Sequence, residues 1–146
     1  MVDPRKSRTS SWSDQRVLLV EDDAIVALNL ERILLTAKCS IIGPVTSTIA
    51  ALTSIAIDEP DVALVDINFD KGIVLNIATA LEMAQIPFAL ISGDTVDILA
   101  NGHAIDMLPA RLRSRPLLIQ PFNLSDILWV LSHMIFSKED HAPKQV

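Results

Sequence analysis

The sequence predicts an α/β domain built on a five-stranded parallel sheet, doubly wound, with strand order 2-1-3-4-5. Three observations carry that expectation. Short apolar runs alternate with longer stretches whose apolar residues recur at helical spacing. The short runs are apolar at nearly every position, as in strands of a parallel sheet covered by helices on both faces. At 146 residues, half of them hydrophobic, the chain has the size of one domain and enough apolar surface for a core.

Each element has its own signal. Arg16 to Val20 is a β-branched run that stops at Glu21-Asp22-Asp23. From Ala24 the spacing turns helical, with Asp23 as N-cap and Ile25, Leu28, Ile33 and Leu35 as the expected buried stripe. Ser40 to Val45 reads as the second strand, closed by Gly43-Pro44. Ser47 to Ile57 reads as a helix ended by Glu59-Pro60. Asp61 to Val65 gives the third strand, stopping at Asp66, and Gly72 to Ala84 the next helix. Pro87 opens the fourth strand, Phe88 to Ser92. Asp94 to Pro116 is irregular: a helix begins over Thr95 to Leu99, but Asn101-Gly102 and Pro109 interrupt it. Leu117 to Ile119 is the fifth strand, ended by Gln120-Pro121. Asn123 or Ser125 then caps a last helix running to about Phe136. Residues 1–14 and 138–146 read as flexible tails around a domain at 15–137.

Composition excludes several functions. The net charge of −6 and pI near 4.9 argue against a nucleic-acid partner. Arg5, Lys6 and Arg8 form a basic cluster in a Ser- and Thr-rich leader, the pattern of a solvated tail. No run reaches the ~18 apolar residues of a membrane span, and no apolar segment follows the leader's charges as in a secretory signal. Cys39 is the single cysteine, so no internal disulfide forms. These features together read as cytoplasmic. His103, His133 and His141 are too scattered to suggest a metal site. A mean hydropathy of +0.39 is high for a lone soluble domain, and suggests surface covered by a partner.

The chemistry lies at the strand ends. Singly, each group has a structural explanation: Glu21 to Asp23 suits the positive end of a helix dipole, and Ser92-Gly93 suits a turn. Together they are more telling. Acidic groups end strands one and three, a hydroxyl ends strand four, and an amide followed by proline ends strand five. All four fall on one edge of a parallel sheet, where ligands of such folds bind. Carboxylates gathered there repel unless a hard cation such as Mg²⁺ neutralises them.

The order Val-Glu-Asp-Asp, Leu-Val-Asp-Ile-Asn, Leu-Ile-Ser-Gly, Gln-Pro-Phe resembles the receiver domain of two-component response regulators, over about Arg16 to Phe136. The resemblance implies the flavodoxin-like receiver fold and a stand-alone signalling module rather than an enzyme. It implies Asp66 as phosphoacceptor, with Mg²⁺ held by Glu21, Asp22, Asp66 and the backbone carbonyl of Asn68. Ser92 and Gln120 take the positions that contact the phosphoryl group. The implied donor is a histidine kinase or phosphotransfer protein. With no output domain after the last helix, the signal is expected to leave by protein contacts.

Two departures stand out. The family has lysine where this chain has Gln120. A neutral donor to the phosphoryl group contributes ~0.5–1.5 kcal/mol against ~1.5–3 for a charged one, so coupling of phosphorylation to shape should be weaker. The aromatic switch of strand five is replaced by Leu117. A phosphorylation-independent adaptor is therefore an alternative reading. A haloacid-dehalogenase-like phosphatase is a further one, resting on Asp66-Ile67-Asn68, though its second aspartate is Asn68 here and its lysine is missing. Trp129 and Phe136, seven apart beside the core stripe of the last helix, mark a homodimer or target surface on helix four, strand five and helix five.

Overall fold

The computed structural model describes residues 12–69, 74–93 and 108–140, the side chains of 136–140 excepted. The elements are β1 (Arg16–Val20), α1 (Ala24–Thr36), β2 (Ser40–Val45), α2 (Thr48–Ile57), β3 (Val62–Asp66), α3 (Val74–Met83), β4 (Phe88–Ser92), α4 (Ala110–Arg113), β5 (Leu117–Ile119) and α5 (Leu124–Asp140). All strand pairings are parallel, and the order is β2-β1-β3-β4-β5, as expected from sequence. The expected helix at Thr95 to Leu99 and its breaker Asn101-Gly102 lie outside the described residues. So do Gly72, residues 1–11 and residues 141–146 of the two expected tails. Trp12, which the sequence reading leaves in the leader, packs against the core, and its carbonyl accepts from Cys39 Sγ at 3.3 Å.

Alternation along the strands divides the core. Val17 and Leu19 of β1 join Leu30, Leu34, Ile127 and Leu131 beneath α1 and α5. Leu18 and Val20 point the other way, to Ile77, Leu81, Phe88 and Leu112 beneath α2, α3 and α4. Period-two side-chain alternation fills both faces of the sheet from one run of consecutive apolar residues.

Two expectations need correction. The buried face of α1 is Ala27, Leu30 and Leu34. Of the stripe expected there, Ile25 is 81% exposed, Leu28 48% and Leu35 62%, and only Ile33 packs partly on the core. The helix is apolar nearly all round, so helical periodicity fits two registers, and packing on the sheet selects one. Gly43-Pro44, in turn, does not close β2. The register passes from Leu18↔Ile42 to Val20↔Val45 across a bulge. Gly43 sits there at φ +103, where a Cβ would meet Val45 N at 2.6 Å and Leu19 O at 2.9 Å. Only glycine fits that close approach.

The C-terminal ends of α1 and α3 share a device. Lys38 N–H donates to Leu35 O, and Cys39 N–H to Leu34 O. At the end of α3, Gln85 and Ile86 N–H repeat the pattern to Glu82 O and Leu81 O. These are Schellman closures, and the left-handed residue is Lys38 (φ 64) or Gln85 (φ 57) rather than glycine.

Candidate functional site

The strand register brings the acidic groups together. Val20 lies level with Val65, so the next residues, Glu21 and Asp66, leave β1 and β3 side by side. Asp66 is level with Ile91 and Ser92 with Ile119, which sets Ser92 and Gln120 along the same edge. Ile67 N–H donates to Ile91 O at 2.9 Å and Gln120 N–H to Ser92 O at 3.3 Å, tying the ends of β3, β4 and β5 together. The Gln120–Pro121 peptide is cis.

Local structure aims each carboxylate. Asp23 caps α1, its Oδ1 accepting from Ile25 N at 2.9 Å and Val26 N at 3.2 Å. That commitment leaves Glu21 and Asp22 for the site. Glu21 is 1% exposed, and its Oε1 accepts from Asp23 N–H at 2.9 Å. Asp66 Oδ1 accepts from Asn68 N–H at 3.0 Å, an Asx-type turn that holds the backbone of Asn68 against the acceptor. One carboxylate oxygen each from Glu21, Asp22 and Asp66 lies within 4.8 Å of the other two. Asp22 is exposed, Asp66 partly buried and Glu21 buried. Ser92, at the end of β4, is buried at 2% exposure.

The electrostatics are strained in a specific way. Burial pushes the Glu21 carboxyl up to about 8; the Asp23 N–H opposes that shift, and the charges of Asp66 and Asp22 add to it. Burial raises Asp66 too, against the stabilising N–H of Asn68. Among the described residues, Glu21 Oε2 is buried with no hydrogen-bond partner. An ionised carboxylate accepts only, so two of them side by side need a proton or a cation between them. The donor set fits Mg²⁺: all oxygen, anionic, and open on the Asp22 side.

The remaining site residues are placed less tightly. Gln120 is partly buried and lines a groove of about 570 Å³ with Ile25, Val26, Leu28, Asn29, Arg32, Pro121 and Phe122. Leu117 is partly buried against the α2–α3 side of the core. Trp129 is 55% exposed and stacks on His133 with ring centroids 3.8 Å apart. The side chain of Phe136 lies outside the described residues. Sequence reading passed over Ile25 and Leu28 as surface groups. It also passed over Arg111, Arg113 and Arg115, of which Arg111 pairs with Glu82 at 3.2 Å and Arg115 lies over the Phe88 ring at 4.3 Å. Their two-residue spacing was a signal available in the sequence.

No protein family and no curated protein matches the chain. Among solved structures it is similar to SdrG from Sphingomonas melonis Fr1, at 28% identity and TM-score 0.66 over 83% of this chain and 96% of that one. The BeF₃-activated conformation of SdrG from Pseudomonas melonis Fr1 compares at 26% identity and TM-score 0.66, covering 84% of this chain and 98% of that one. The response regulator PhyR from Brucella abortus compares at 20% identity and TM-score 0.68, covering 92% of this chain but 53% of that one. The chain therefore spans about half the length of that relative. Its neighbours in structure are receiver domains of response regulators, and its sheet order is that of the flavodoxin-like receiver fold.

Proposed function

We propose that residues 15–137 are a receiver domain that accepts a phosphoryl group on Asp66 and acts in the cytoplasm through protein contacts. The observation that carries this is the cluster of Glu21, Asp22 and Asp66 carboxylates at the sheet edge, with Glu21 Oε2 buried and without a partner among the described residues. Such a group serves no purpose in a purely structural helix start.

Glu21, Asp22, Asp66 and the carbonyl of Asn68 would hold Mg²⁺, which when bound supplies the positive charge that the cluster and an incoming phosphoryl group both lack. Asp66 is the nucleophile. One carboxylate oxygen forms a bond to phosphorus, the phosphorus–nitrogen bond of the donor phosphohistidine breaks, and its electron pair returns to the imidazole. An acyl phosphate remains on Asp66. The Ser92 hydroxyl and the Gln120 amide are proposed to hydrogen-bond the transferred phosphoryl oxygens, as neutral donors. The donor is a histidine kinase or phosphotransfer protein. Exposed Ile25 and Leu28, on the groove beside Gln120, are proposed to offer it apolar contact. Trp129, on the flank of β5 and α5, is proposed to meet a downstream protein.

Incubation with acetyl phosphate and Mg²⁺ followed by intact-mass measurement tests the reading. One added phosphoryl group is expected on the native chain and none on Asp66→Asn. Modification that persists in Asp66→Asn removes the assignment. Gln120 supports a second reading, a receiver-fold adaptor that works unphosphorylated; a native chain that gains no mass would favour it.

A further inference from the structure

From Cys39 to Ile57, across all of β2 and α2, no residue carries a charge. On α3 the single charged residue is Glu82, and Arg111 neutralises it. These two helices pack side by side on one face of the sheet, and five large apolar side chains stand on their outer surface among the uncharged polar residues Thr53, Asn76 and Thr79. Ile49, Leu52 and Ile57 of α2 are 79, 37 and 73% exposed, and Leu75 and Met83 of α3 are 41 and 82% exposed. At roughly 190 Å² for a fully exposed side chain of this size they present about 600 Å² of apolar surface, the upper end of what a monomer leaves open.

We propose that the α2–α3 face is a homodimer interface whose occupant is a second copy of this chain. Charge argues for the copy over a different protein. The molecule carries −6 overall, so two copies repel wherever their acidic surfaces meet, and this uncharged face is one where they do not. A partner chosen by charge would have nothing to recognise here. Geometry agrees. A two-fold axis would set the same patch against itself, as most homodimers do. Burying both patches would remove about 1,200 Å² from solvent, the lower bound of a stable specific interface, so a dissociation constant in the micromolar range is expected. The face lies on the opposite side of the sheet from α5 and Trp129, so dimerisation leaves a downstream contact there free.

Sedimentation equilibrium of the full chain between about 5 and 300 µM reads the association over the expected range. The native chain is expected to be dimeric at the upper end. The double variant Ile49→Glu/Met83→Glu, at two exposed positions that leave the core untouched, is expected to be monomeric with an unchanged circular-dichroism spectrum. Trp129→Ala is expected to dimerise like the native chain. A native chain that stays monomeric throughout overturns the proposal and returns the face to another protein. A dimer that survives the double variant, or one that Trp129→Ala abolishes, places the interface elsewhere and overturns it as well.

Discussion

Binding of Mg²⁺ at the acidic edge is expected to displace one proton, and the pH dependence of that exchange can be worked out from the site. Glu21 has a folded-state pKa of about 8 against an ordinary 4.5. Between those values the folded chain holds a proton that the unfolded chain has released. The metal-free fold therefore has this stability in full below about pH 4.5 and loses it progressively as pH rises to about 8. A Mg²⁺ ion held by Glu21, Asp22 and Asp66 would supply the positive charge that this proton supplies in its absence. Below pH 8 its dissociation constant should fall about tenfold per pH unit, levelling above pH 8. Calorimetric titration in buffers of different ionisation enthalpy at pH 6.5 and 9 measures the proton count directly. Close to one proton per ion is expected at pH 6.5 and close to none at pH 9. Glu21→Gln, a neutral shape match, should abolish the release and flatten the pH dependence of metal-free stability. Mg²⁺ affinity that does not change between pH 6 and 9 would refute the argument that burial keeps Glu21 protonated.

Gln120→Lys is expected to bring a cation toward the three carboxylates, and so to weaken Mg²⁺ binding to the unphosphorylated chain while strengthening the response to beryllofluoride. Equal affinities in a parallel titration would mean that position 120 does not face the site. Leu30→Ala should destabilise the fold by ~2–5 kcal/mol and Ile25→Ala by less than ~0.5, measured by urea unfolding. Similar losses would revive the other register of α1. Gln85→Gly relieves a left-handed residue at the end of α3 and is expected to stabilise by ~0.5–1 kcal/mol, raising the melting temperature by a few degrees. A lower melting temperature would show that the Gln85 side chain contributes more than its backbone geometry costs.

Much of this protein is legible along the chain, because the signals involved are local. Strand runs that are apolar throughout, such as Val62 to Val65 and Phe88 to Ile91, can be buried only on two faces, and that requirement alone calls for a helix-covered parallel sheet. The N-cap at Asp23 follows from a short acidic side chain at the first helical turn. The neighbourhood of Glu21, Asp66 and Ser92 follows from each standing at the end of its strand, once the strands are parallel. What the chain could not specify depends on a second surface. Two stripes of α1 satisfy the same 3.6-residue period, and only contact with Val17 and Leu19 of β1 puts Leu30 and Leu34 inside and Ile25 outside. Gly43-Pro44 reads as a terminator in one dimension, whereas the approach of Leu19 O makes it a bulge within a continuing strand. The charge state of Glu21 is likewise set by tertiary structure. Its sequence neighbours mark an ordinary acidic helix start. Burial beside Asp66, 45 positions away, pushes its carboxyl up to about 8, because the free energy of a charge depends on the solvent and the charges around it in space.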